Sequence, residues 1–201
     1  MKKIVLIAAC ILSVFNLKAQ DDASVKNAEE IVWYGLDFTK ATFVGQFDQG
    51  MGMAPATGLD IKNKWIPQWN SLIVNEPQNF DFKKNLKKKS VYSDIANMNE
   101  LNRNVNTEKC MNYNPGKIER TAIDEMVKKY TAGEKKDGIG LAFIVENFDK
   151  GAATASVYVT YFDIKTKKVI RFDKYEGKAV GIGMRNYWAG AIKAIIKQLG
   201  K

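Results

Sequence analysis

Residues 139–148 read IGLAFIVENF, an almost continuously apolar run. A strand covered on both faces has this composition, because neither side needs to alternate toward water. Asp149-Lys150-Gly151 then supplies turn chemistry. Beyond the turn, Ala155, Val157, Val159 and Tyr161 alternate with Ser156, Tyr158, Thr160 and Phe162. Asp163-Ile164-Lys165-Thr166-Lys167 turns the chain again, into Val169-Ile170-Arg171-Phe172. Three such runs joined by short turns predict an antiparallel three-stranded meander.

Downstream, a loop containing Gly177, Gly181 and Gly183 leads into a final helix. There Trp188, Ala191, Ile192, Ile195, Ile196 and Leu199 recur at helical spacing, with Lys193 and Lys197 on the opposite face. Upstream, Asn114-Pro115 offers an N-cap and a proline at the first helical position. Ile118, Ala122, Ile123, Met126, Val127 and Tyr130 then form one apolar stripe, closed by Gly133.

The first strand is predicted over residues 31–38, IVWYGLDF, and Thr42-Phe43-Val44-Gly45 extends it or begins a second short strand. Residues 49–58, QGMGMAPATG, form a loop. A helix follows at about 59–73, where Pro67 is tolerable only near a start or a kink. Residues 80–103 are polar and lysine-rich, with short elements at 82–86 and 91–94. Strands and helices mix without regular βαβ alternation. The reading is therefore an α/β (α+β) fold, with a mixed or antiparallel sheet, a C-terminal three-stranded meander and helices packed on it.

Length and composition agree with one domain over residues 31–201, since the chain has 201 residues of which 46% are hydrophobic. Residues 20–30 read as a flexible lead-in. The chain has no histidine. This removes Ser-His-Asp and Cys-His nucleophile systems, histidine general-base chemistry and nearly every zinc or non-haem iron site. No catalytic residue, metal ligand or cofactor site is assigned.

The first twenty residues, MKKIVLIAACILSVFNLKAQ, read as a signal peptide over residues 1–19. Lys2 and Lys3 form the positive region, residues 4–15 the apolar region, and Leu17-Lys18-Ala19 the processing site. The apolar run is shorter than the roughly 20 residues that span a bilayer. Ile7-Ala8-Ala9-Cys10 resembles a lipoprotein processing box, but its apolar stretch continues past Cys10 to Leu17, so export without lipidation is favoured. Cleavage after Ala19 removes three lysines and lowers the formal charge from +9 to +6. It also leaves Cys110 as the single cysteine, either a buried small residue or a thiol open to an intermolecular bond.

Three features are candidate contact sites for a partner or an anion. Lys83, Lys84, Lys87, Lys88 and Lys89 form the one concentrated basic run, able to meet anionic lipid or an acidic glycan. Nucleic acid is not expected, because no recognised binding motif is present and the chain reads as exported. Arg185 stands in the loop before the last helix, where helix N–H groups favour anions, although neither a dinucleotide fingerprint nor a phosphate-binding loop is present. Trp65 and Trp69 lie one helical turn apart beside the Gly/Met loop, and are candidates for an exposed aromatic pair. Five Phe-Asp dipeptides, among them Phe148-Asp149 and Phe162-Asp163, fit turn initiation better than a paired-carboxylate site.

The helix at 117–130, the strand GLAFIVENF, the segment YFDIKTKKVI and the closing amphipathic helix together resemble envelope proteins related to the amino-terminal domain of TolB and the CsgG/LpoB-type lipoproteins. VWYGLDF is similar to the opening strand of those domains, and GIGMRNYWAGAI to the ending of uncharacterised exported proteins. The resemblance implies a periplasmic or outer-membrane-associated module that binds another protein, and it transfers no catalytic residue. Residues 46–112 fall outside it.

The expectation is thus an exported, non-enzymatic interaction module whose partners are envelope proteins. The alternative is a binding module for an anionic glycan or lipid, and less favoured is a histidine-free hydrolase, which needs two carboxylates, or a lysine and a serine, in one pocket.

Overall fold

The computed structural model describes residues 23–201, so the predicted signal peptide and Cys10 lie outside the described residues. In chain order the elements are β1 (Glu30–Asp37), β2 (Thr42–Val44) and a helix α1 built from Gly58–Asp60, Ile61–Trp65 and Ile66–Asn75. Then come α2 (Phe82–Leu86), β3 (Ser90–Ser93), α3 (Ala96–Asn102), β4 (Met111–Asn112) and α4 (Arg120–Lys128). The chain closes with β5 (Ile139–Asp149), β6 (Thr154–Asp163), β7 (Val169–Lys178) and α5 (Gly183–Gln198).

β5, the almost continuously apolar run, is the axis of the sheet. Along one edge it pairs in parallel first with β1, from Val32↔Gly140 to Asp37↔Ile144, and then with β2, from Thr42↔Asn147 to Val44↔Asp149. β1 and β2 therefore lie end to end. Their outer edges take β3 and β4, again in parallel. The other edge of β5 pairs antiparallel with β6, and β6 with β7, which forms the meander.

The sheet is mainly parallel, which corrects the expected antiparallel or mixed sheet. The parallel pairing was hidden because β3 has four residues and β4 two, too few for a periodic signal. The composition of β5 had already carried it, since a strand with helices on both faces is what a parallel sheet produces.

The order β3-β1-β5 sends the chain one way from β1 to β3 and back past β1 to β5. Crossovers of one hand that run in opposite directions place their helices on opposite faces. Accordingly α1, α2 and α5 cover the face bearing Trp33, Phe143, Phe148 and Val157, while α4 covers the face bearing Tyr34, Ala142, Ile144 and Phe162.

Three local features depart from the simple sequence pattern. A bulge between Trp33 and Gly35 shifts the register of β1, so Trp33 and Leu36 share a face although their numbering differs in parity. Gly35 has φ +107°, and a Cβ there would stand 2.7 Å from Asn70 Oδ1. That oxygen accepts from Leu36 N–H at 2.7 Å, while the Asn70 amide donates to the Leu36 carbonyl at 3.0 Å. Asn102 does the same one step on, accepting from Phe38 N–H at 2.8 Å and donating to Leu36 O at 2.8 Å. Two buried asparagines thus satisfy backbone that the bulge and strand end leave unpaired.

In α1 the segment Ile61–Trp65 is π-helical, with Ile66 N–H bonded to Ile61 O. Pro67 follows directly and lacks an N–H to donate, so the wider turn sits where the α ladder is already broken. α4 begins at Arg120, later than Asn114-Pro115 predicted. Gly116 N–H is taken by Thr42 Oγ1 at 3.1 Å and Ile118 N–H by Glu146 Oε1 at 3.1 Å, which holds this stretch extended against the sheet. Of the expected flexible lead-in, residues 23–27 form a helical turn with Val25 in the core.

Candidate functional site

Because β1, β2, β4, β5 and β7 all point the same way, the molecule has a carboxyl end and an amino end of the sheet. At the carboxyl end lie the loops after β2, β4 and β7, and the β5–β6 turn. All six exposed large hydrophobic residues among the described residues, Met51, Met53, Leu59, Tyr113, Val180 and Ile182, belong to this end. Tyr113 is 92% and Ile182 93% exposed.

The loop 45–57 divides the carboxyl end into two clefts. One, of about 660 Å3, lies between Gly45, Gln46, Pro55 and the segment Glu108–Tyr113 at the ends of β2 and β4. The other, of about 270 Å3, lies between Phe47, Asp48, Lys150 and the start of α5. The loop base is fixed. Ala56 N–H donates to Phe47 O at 2.7 Å, and Gln49 Oε1 accepts from Trp65 Nε1 at 3.1 Å. The methionines are carried at its tip and in its return.

Arg185, predicted as an anion contact, stands at this end, but its guanidinium Nη2 donates to Glu76 Oε1 at 3.1 Å and its Nε to Asn186 Oδ1 at 3.1 Å. Trp65 and Trp69 do stack, with ring centroids 6.4 Å apart, but they are 6% and 1% exposed. The pair packs the core under α1 rather than presenting an aromatic surface, and Trp69 Nε1 donates to the Arg185 carbonyl at 3.2 Å. Helical spacing predicts the pairing. The burial follows from Phe38, Phe43 and Phe148, which surround Trp69 at centroid distances of 5.2–6.1 Å.

The lysine run is at the opposite, amino end. Lys83 and Lys84 are on α2, which is capped by Asp81 accepting from Lys84 N–H at 2.9 Å, and Lys87 ends it in the left-handed conformation. Lys88 Nζ donates to the carbonyls of Val25 at 2.6 Å and Lys26 at 2.9 Å, while Lys89 pairs with Glu29 at 2.5 Å. Part of the run therefore ties down the chain before β1. The predicted contact residues do not form one surface: Arg185 and the lysines are at opposite ends, and the tryptophans are between them in the core.

Sequence reasoning did not single out Asp37, the last residue of β1. It is 1% exposed and faces a crevice of about 170 Å3 between the ends of α3 and α4, walled by Thr39, Lys40, Asn104, Met126 and Lys129. Its Oδ1 accepts from Thr39 N–H at 2.8 Å and Thr39 Oγ1 at 2.6 Å, and its Oδ2 accepts from the Tyr130 hydroxyl at 2.6 Å. Burial holds this carboxyl above its ordinary range, against the pull of those hydrogen bonds and of the Lys129 charge. The same burial, with the neighbouring carboxylate, pushes Tyr130 well above the usual phenol value. The place is where open α/β sheets bind ligands, beside the strand at which the order reverses. The crevice holds one carboxylate, so its own lining supplies no second acid for paired-carboxylate chemistry. The only sequence signal was a charged residue ending an apolar strand.

A second buried carboxylate, Glu146 on β5, accepts from Ile118 N–H at 3.1 Å and from the Tyr158 hydroxyl at 3.2 Å, and pairs with Lys174. Its bonds clamp the stretch before α4. Asp163 accepts from Thr166 N–H at 2.6 Å and Oγ1 at 2.7 Å, the turn-initiating role expected of the Phe-Asp dipeptides. Among the described residues no group of three or more Cys, Asp or Glu is placed to hold a metal ion. Neither a protein family nor a curated protein matches the chain.

Proposed function

We propose that the protein is an exported, non-enzymatic interaction module that grips another envelope protein with the loops at the carboxyl end of its sheet. One observation carries the reading. Every exposed large hydrophobic among the described residues is at that end, in loops that flank two clefts, on a chain otherwise covered with charge. Side chains such as Ile182 and Tyr113 gain by leaving water, and surface patches of this kind mark interaction sites. The leader-like first twenty residues and the resemblance to TolB-related and CsgG/LpoB-type envelope modules support the compartment and the class of partner.

The test is site-specific photo-crosslinking of the natively exported full chain. The crosslinker is placed at Ile182 or Tyr113, and at Lys84 as a control. The reading expects one or a few stoichiometric adducts with envelope proteins from the first two positions and none from Lys84, and their loss in Met51→Asp/Ile182→Asp. Adducts of equal yield from all three positions, or none at all, overturn it.

A further inference from the structure

The charge of the molecule is sorted as sharply as its exposed apolar groups, and onto the other end. We propose that the amino end of the sheet is a docking face for an anionic lipid bilayer. This goes beyond the interaction module and does not depend on it.

The segments that make the amino end are 23–30, 79–89, 131–138, the β6–β7 turn 163–168 and the close of α5 at 197–201. Together they hold thirteen lysines against six carboxylates. The carboxyl-end segments 45–60, 108–119, 149–153 and 178–185 hold four lysines and one arginine against five carboxylates, so the excess positive charge belongs to the amino end. The sorting is set by the fold. The five basic segments are far apart in sequence and become neighbours only through the parallel register of β1, β3 and β5 and the antiparallel return of β6.

α2 is the fixed centre of this face. Phe82 is buried against Trp33 and Phe143 at centroid distances of 4.5 and 5.7 Å, and this anchor holds Lys83, Lys84 and Lys87 outward. Those three are exposed and form no ion pair among the described residues. Beside α2 runs a groove of about 610 Å3 lined by Lys26, Lys87, Lys88 and Arg171, the last paired with Asp173, together with Leu86, Tyr161 and Leu199. Cations beside apolar side chains match a lipid phosphate together with its glycerol and first methylenes.

Two observations favour a bilayer over an acidic glycan. The lysines extend over five segments, well beyond the walls of the groove, which suits a flat sheet of charge. Exposed aromatic platforms, the usual partners of sugar rings, are missing among the described residues at this end. The chain also arrives here. Lys88 fastens residues 25 and 26 to the face. Among the described residues no helix is long and apolar enough to cross a membrane, so the contact is one of surface charge.

The experiment is co-sedimentation of the full chain with phosphatidylcholine vesicles containing about one third phosphatidylglycerol, and with phosphatidylcholine alone. Near a charged surface each lysine adds about a factor of five in affinity. The expected result is binding to the anionic vesicles only, weakening as salt rises. Lys83→Glu/Lys84→Glu/Lys87→Glu should lower it at least about tenfold, and Lys117→Glu/Lys178→Glu at the other end should not. Equal binding to neutral vesicles, salt-independent binding, or an unaffected triple variant overturns the proposal. So does capture by an immobilised sulfated glycan without binding to anionic vesicles, which assigns the face to a glycan.

Discussion

Tyr130 donates its hydroxyl to Asp37 across 2.6 Å, joining the second residue beyond α4 to the end of β1 in a site with almost no solvent exposure. The bond spans two residues lining the crevice and gives the carboxyl one of its three donors. Tyr130→Phe leaves that oxygen buried and short of a partner. The expected cost is about 1–3 kcal/mol in urea unfolding near neutral pH.

The same pair predicts a pH dependence. Asp37 has a raised value in the folded chain, so folding favours its protonated form. Its contribution is fully present below the unfolded value of about 4 and is lost as pH rises through the folded value. As pH rises above about 4, the urea midpoint of the native chain should therefore fall relative to Asp37→Asn. Parallel curves for the two proteins would show that Asp37 does not titrate in this way.

Gly35 answers to Asn70. Alanine at position 35 must adopt φ +107° and brings its Cβ within 2.7 Å of the Asn70 oxygen. Gly35→Ala should destabilise by at least about 2 kcal/mol through backbone strain and loss of the Leu36 bonds. Asn70→Ala keeps the backbone but strands Leu36 N–H, at about 1–3 kcal/mol. Combined, they should cost less than the sum, because each removes the same hydrogen bonds.

Trp69 is a core residue, so Trp69→Ala should cost about 3–5 kcal/mol of stability. Under conditions where the variant is still folded, its crosslinking through Ile182 should be unchanged. A selective loss of crosslinking with native stability would return Trp69 to the contact surface.

Cys110 is buried, and burial pushes its thiol up. In a Cys10→Ser chain the thiol should react with an aromatic disulfide reagent at least about tenfold more slowly when folded than in urea. Comparable rates would mean that Cys110 is open to an intermolecular bond.

What could be read from the sequence was whatever has a period. β5 and β6, the start of β7 and the apolar stripe of α5 follow from hydrophobic spacing alone, and the lysine run is visible as composition. The parallel half was not, because β3 and β4 are too short to repeat anything and their pairing is decided by crossovers through α1 and α4. Asp37 was illegible for another reason. Its partners, Thr39 and Tyr130, carry no spacing that marks them, and Tyr130 reads equally well as the last member of an apolar stripe. The exposed rim was half-visible: the Gly/Met loop stood out, but only the common direction of β2, β4 and β7 puts Met51, Tyr113 and Ile182 on one end.

The end-to-end arrangement of β1 and β2 along β5 also governs when the chain can fold. Val32 waits for Gly140 and Val44 for Asp149, so the first two strands have no main partner until three quarters of the sequence is available. β5, β6 and β7, by contrast, are contiguous and close quickly, since local contacts form before distant ones. Before then β1 can pair only with the four residues of β3, and β2 only with the two of β4, so the amino-terminal strands have no central partner while they are being made. A polypeptide of this kind stays threadable until its last third appears, which is the condition a chain must meet if it is to be moved through a narrow pore before it acquires its shape.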